Sequence, residues 1–191
     1  MRRIHSPSIN CHSHRFIQQR RMTGTTLLEL MVTLSIAAIL LSIAVPSFQT
    51  FTRTNRIAAV TNELSSALQF ARSEAMTRGK TVTVCKSNDV TDSTPTCSTT
   101  GVNWQDGWVV FVDNDGDGAF DTGDTPLRVG QPANSDVVIT GNSVFVNRVS
   151  FNSRGEEASA GKIYISIASE KRCIVLNRIG RLRIDSGTDC T

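Results

Sequence analysis

Twelve residues, Asp113 to Asp124, place carboxylates at their first, third, fifth, ninth and twelfth positions and a glycine at the sixth. That is the ligand spacing of an oxygen-lined calcium loop, in which a glycine turn lets several acids converge on one hard cation. Two features weaken the metal reading. Asp124 stands where such a loop carries a bidentate glutamate, and the residues before Asp113 alternate as a strand rather than a helix. A solvated β-turn accounts for the same residues, since Asp and Gly both favour tight turns. No cofactor is therefore expected. Calcium held by Asp113, Asp115, Asp117, Asp121 and Asp124 is the lesser alternative.

A second cluster has the opposite sign. Residues 148–183 carry eight basic and three acidic side chains, whereas residues 106–136 carry seven acids and one base. The formal net charge of +3 hides this polarity. A strand over residues 181–185 puts Arg181 and Arg183 on one face and points Leu182 inward. Guanidinium groups sharing a face can grip phosphate oxygens in pairs, and sequence-independent contact with DNA requires no more. Gly180, Arg178, Lys171 and Arg172 lie close by in the chain. Tyr164 and Phe151 are the only aromatic residues of the basic segment, so backbone contacts are favoured over base stacking. A solvated strand face, or ion pairs with the acidic loop of a neighbouring subunit, is the plainer account of these charges.

Enzymatic chemistry finds little support. All three histidines, Cys11 and five arginines fall within residues 1–24, which contain no acid. Were that segment removed, no histidine would remain for a Ser-His-Asp triad or a His-containing zinc site. Cys85, Cys97, Cys173 and Cys190 would be left. None of them forms the close pair typical of a zinc site, so two disulfides in an oxidising compartment fit better. Cys85–Cys97 with Cys173–Cys190 is one of three possible connectivities.

The elements that must carry these groups follow from periodicity. Residues 30–52 hold no charge and are long enough to cross a bilayer. Basic residues ahead of them keep that end cytoplasmic and send the rest to the periplasm. Glu29 sits at the mouth of this run, where a charge at mid-membrane would cost about 2.5–3.5 kcal/mol and less near the end. A free amine on Thr25, made by cleavage after Gly24, would offset that cost. Beyond the apolar run, Ile57, Val60, Leu64, Ala67, Leu68, Ala71 and Ala75 recur in steps of three and four, one stripe of a helix that ends at Gly79. Pro46 removes a helix donor, so a bend is expected there. After Gly79 the period becomes two. Strands are expected over residues 81–86, 108–113, 136–140, 143–151, 162–168, 172–179 and 181–185, with a long polar loop over residues 87–106. The class is α+β, a long helix packed on antiparallel sheet.

Gly24-Thr25-Thr26-Leu27-Leu28-Glu29-Leu30 resembles the type IV prepilin motif. The resemblance implies that a membrane peptidase cuts after Gly24, that the new N-terminus on Thr25 is methylated, and that Glu29 pairs with a neighbouring subunit's terminal amine. Thr25 departs from the family's usual phenylalanine. Pro46 matches the family's helix-kinking proline. The order of later features, including "WQDGWVVFVD" and "GRLR", is similar to the FimT/GspH group of minor pilins and type II secretion pseudopilins. In the FimT subgroup a C-terminal G-R-x-R motif is associated with DNA capture for natural transformation, and Gly180, Arg181 and Arg183 match it. The resemblance divides the chain into a leader (1–24), a transmembrane helix half (25–52), an amphipathic half (53–79) and a periplasmic β domain (80–191). It implies inner-membrane anchoring followed by entry into a surface pilus. The implied partners are the prepilin peptidase, other major and minor pilins, and DNA. The alternative it allows is a minor pseudopilin of a type II secretion system.

Overall fold

The computed structural model describes residues 24–92 and 94–190. The basic segment ahead of Gly24, with its histidines and Cys11, lies outside the described residues. The chain forms two compact units, one ending at Ala44 and the other beginning at Val45. Helix α1 (Leu27–Arg78) contributes to both.

In the first unit the helical side chains from Leu27 onward are exposed, and α1 is long and apolar enough to cross a membrane. Thr33, Ser35 and Ser42 return their hydroxyls to carbonyls three or four residues back. Polar atoms are thereby satisfied within the helix, as a lipid environment demands.

In the second unit the helix buries the stripe Ile57, Leu64, Ala67, Leu68, Ala71 and Ala75, with Val60 partly covered. Thr61 and Ser65 are buried in the same face, and Thr61 donates its hydroxyl to the Ile57 carbonyl at 2.6 Å. Gly79 takes a φ of +65°, the left-handed geometry that stops a helix after Arg78.

Among the described residues eight strands follow: β1 (Thr81–Lys86), β2 (Trp108–Asp113), β3 (Thr125–Gly130), β4 (Val138–Gly141), β5 (Arg148–Phe151), β6 (Gly161–Ile167), β7 (Glu170–Leu176) and β8 (Leu182–Ser186). They form two antiparallel sheets, ordered β3-β2-β1-β5 and β4-β6-β7-β8. One core joins α1 to both sheets through Val82, Val84, Val110 and Phe151 of the first and Ile163, Ile165, Ile174 and Leu176 of the second. The first sheet is covered on its other face too. There Cys85, Val90, Val109 and Phe111 make a smaller cluster with Cys97 and Phe120, and the Phe111 and Phe120 rings meet edge to face at 5.2 Å.

Several sequence expectations need correction. β3 carries Pro126 at the sheet edge, with a register shift at Val110/Phe111, so it shows no clean alternation. The strand expected over 143–151 is formed only from Arg148. Before it, Asn142 turns the chain by accepting from Phe145 N, and Phe145 alone is buried between exposed Val144 and Val146. That bend mimics period two. The expected strand over 172–179 ends at Leu176, where a turn begins. The loop over 87–106 is not simply polar, for Val90, Val102 and Trp104 are buried.

Candidate functional site

Asn177 to Arg181 form the turn that sets the two motif arginines. Gly180 N donates to the Asn177 carbonyl at 2.9 Å, Arg181 N to the Asn177 side-chain oxygen at 2.8 Å, and Asn177 N to the Arg181 carbonyl at 3.2 Å. Gly180 has a φ of +74°, and a Cβ there would overlap the Gly155 carbonyl and the Arg72 guanidinium. Arg72, on α1, donates Nε to the Gly155 carbonyl and Nη2 to the Ile179 carbonyl, both at 2.9 Å. The glycine of the motif is therefore required by backbone conformation and by the arginine beneath it.

Strand β8 begins at Leu182, so Arg181 ends the turn rather than opening the strand. Arg181 and Arg183 are both exposed, and with Val175 and Asn177 they line one groove of about 270 Å³. Arg183 Nη2 lies 2.8 Å from Asp185 Oδ2. The contact has the distance of an ion pair without the alignment of a hydrogen bond, and the arginine is largely exposed. Asp185 is largely buried, so a phosphate that draws Arg183 away must offset the cost of leaving that carboxylate without its cation.

The other cations named from sequence are divided by the fold. Cross-strand register puts Lys171 on the same face of the second sheet as Arg183, with Cys173 and Val175 between them in alternation. Arg172 has the parity of core residues Ile174 and Leu176, opposite to Arg183. Arg178 lies in the turn, where its carbonyl accepts from Glu157 N at 3.0 Å and its charge faces the Glu157 carboxyl. Burial raises that carboxyl above its ordinary pKa, against hydrogen bonds from the Ser159 and Ala158 backbone and the pull of Arg178.

The acidic hairpin between β2 and β3 is organised from within. Asp113 is buried and accepts from Gly116 N at 2.7 Å, Gly118 N at 3.0 Å and the Thr83 hydroxyl at 2.9 Å. Asp124 accepts from Asn114 N at 2.9 Å and from Asp121 N at 3.3 Å. Asp113, Asp115 and Asp117 bring one carboxylate oxygen each within 4.8 Å of one another. Asp121 and Asp124 do not join that group among the described residues. Asp121 titrates above its ordinary value through desolvation and the charges of Asp115, Asp124, Asp117 and Asp113. Most of Asp113's acceptor capacity is taken by the protein's own donors, which is what a hairpin brace requires.

The disulfides Cys85–Cys97 and Cys173–Cys190 close the loop over the first sheet and pin the 3₁₀ turn Gly187–Cys190 to β7. At the other end of the chain Gly24 and Thr25 precede α1, exposed and without regular structure. Glu29 N donates to the Thr26 hydroxyl at 3.2 Å, so Thr26 caps the helix and Glu29 is its third residue. Thr26-x-x-Glu29 is the capping-box spacing, a signal present in the sequence beside the prepilin motif. Arg72, Asn177 and Asp185 carry no local sequence signal, because each acts on a residue brought near by the fold.

Comparison with known proteins agrees with this architecture. Residues 60–180 match the family profile described as type II transport protein GspH, and residues 19–45 match the prokaryotic N-terminal methylation motif. Fimbrial protein Q of Moraxella bovis is 34% identical over 116 residues, which span 60% of this chain and 73% of that protein. Two crystal structures of the Pseudomonas aeruginosa type IV minor pilin FimU share the fold. Their TM-scores are 0.55 and 0.52 at 18% identity, covering 74% and 70% of this chain and 99% of each of theirs.

Proposed function

This chain belongs to the type II transport protein GspH family and has the fold of a type IV minor pilin, and from that premise we propose that it captures extracellular DNA at a pilus through Arg181 and Arg183. The family is one of filament subunits rather than enzymes. The apolar helix with its methylation motif anchors the chain in the inner membrane and carries a C-terminal globular unit into the pilus. In this reading the peptidase removes residues 1–24, Thr25 becomes the methylated terminus, and Glu29 sets the register against neighbouring pilins. Pro46, inside α1, is read as the counterpart of the family's helix-kinking proline.

The observation that carries the DNA reading is the shared groove of Arg181 and Arg183 on an exposed face at the edge of a sheet. Two cations there can each displace a condensed counterion from a phosphate, a gain that ignores sequence. The test is duplex binding by the full-length protein in detergent across a salt series, beside Arg181→Ala/Arg183→Ala. Losing two phosphate contacts should weaken all sequences alike and flatten the log–log salt slope by about two. Unchanged affinity and slope would remove the assignment.

A second reading, a minor pseudopilin of a type II secretion system, is favoured by the description of the profile over residues 60–180. A deletion strain separates the two: loss of transformation with normal exoprotein release supports the first, and the reverse supports the second.

A further inference from the structure

The exposed face that holds Arg183 continues past its groove. Cross-strand register places Lys162, Val175 and Arg183 in one row, Tyr164, Cys173 and Asp185 in the next, and Ser166 with Lys171 in a third. At about 3.3 Å per residue, Lys171 stands roughly 13 Å along β7 from the Arg183 row. A second concavity, of about 350 Å³, opens at that end, with Thr140, Tyr164, Ser166, Lys171, Arg172 and Cys190 in its lining.

Its chemistry differs from that of the arginine groove. Tyr164 is the chain's only tyrosine and is half-buried, whereas Phe151 is fully buried. Tyr164 is thus the one ring of the basic segment that solvent can reach. It lies opposite Cys173, whose disulfide to Cys190 gives the pocket an apolar side. Hydroxyls of Thr140 and Ser166 and the cation Lys171 complete it. The middle row holds an aromatic ring, a disulfide sulfur and a carboxylate, but no cation. Cations stand at either end.

We propose that this pocket takes an unpaired base of single-stranded DNA, stacked on Tyr164, while the strand's phosphates run from Lys171 to Arg183 and Arg181. The proposal rests on the DNA reading above and names its substrate as a single strand. A duplex hides its base faces, so it can use only the cations. An unpaired base offers a π face to Tyr164, and its phosphates then fall on the rows that carry positive charge rather than on the row of Asp185.

The experiment compares a short single-stranded oligonucleotide with its duplex, bound to the full-length protein in detergent. Tyr164→Ala should weaken single-strand binding about tenfold, within the range of one lost base stack, and leave duplex binding within about twofold. Tyr164→Phe should retain wild-type affinity for both. A bromouracil-substituted single strand irradiated on the wild-type protein should crosslink to the peptide containing Tyr164, which keeps the test decisive even if Tyr164→Ala melts early. Equal losses for both DNAs, or crosslinks confined to other peptides, would overturn the proposal. Arg181→Ala/Arg183→Ala should weaken both DNAs. If it weakens neither, the DNA reading itself fails; if it weakens both while Tyr164→Ala changes nothing, only the single-strand proposal fails.

Discussion

At the scale of single residues, Asp113 shows two effects in competition. Burial pushes its carboxyl above the ordinary value of 3.8, while the Thr83 hydroxyl and the Gly116 and Gly118 amides pull it down; burial prevails, with help from the charge of Asp124. The sign for stability follows. A carboxyl whose pKa is raised on folding binds protons better when folded, so its contribution is full below about 3.8 and declines as pH rises through the folded value. Asp113→Asn removes that dependence. The melting temperature of wild type minus that of the variant should therefore be larger at pH 4 than at pH 7. A difference that grows with pH would mean that the three donors outweigh burial. The spacing of the five acids was legible as a turn or a calcium loop. The donors that brace Asp113 were not legible there, since Thr83 is thirty positions away in sequence. In the same way, the sequence names Gly180 as part of a motif, but only the fold shows that Arg72 occupies the space where a side chain would stand.

At the scale of elements, the arginine turn is held by the helix. Arg72 satisfies two carbonyls, that of Ile179 within the turn and that of Gly155 in a separate loop packed against it. Arg72→Ala leaves both without that donor and should cost about 2 kcal/mol, the range for hydrogen bonds from a charged group. Amide exchange at Gly180 and Arg181 should speed up by more than in the rest of β7 and β8, and DNA affinity should fall although Arg72 lies outside the arginine groove. Unchanged exchange at the turn would show that Asn177 suffices to hold it. The helix stripe was legible because one period of 3.6 runs through the whole outer half of α1, and most of the strands were legible from period two. β3 was not, since an edge strand with a proline and a register shift shows neither alternation nor burial. The division into two sheets was hidden for another reason: β1 pairs with β5 across more than sixty residues, and no local pattern reports such a partner.

At the scale of the whole molecule, the proposed function requires entry into a filament, and Glu29 is the residue proposed to meet that requirement at the membrane. Its backbone is already accounted for, since Glu29 N is capped by Thr26. An acid in the first turn also suits the helix dipole, so a local role alone could retain it. The local and intermolecular roles differ in what they need. Capping at this position accepts glutamine as well as glutamate, whereas pairing with the amine of a neighbouring Thr25 needs the charge. Glu29→Gln and Glu29→Val should therefore behave alike if pairing governs. Both should insert in the inner membrane and lose residues 1–24, as read by the mass of the protein, and both should be absent from sheared pili while wild type is present. Valine also removes the cost of a carboxylate in lipid, so neither result can be ascribed to failed insertion. Incorporation of Glu29→Gln at the wild-type level, with Glu29→Val excluded, would assign Glu29 to the helix start. Incorporation of both would leave the filament without need of this carboxylate.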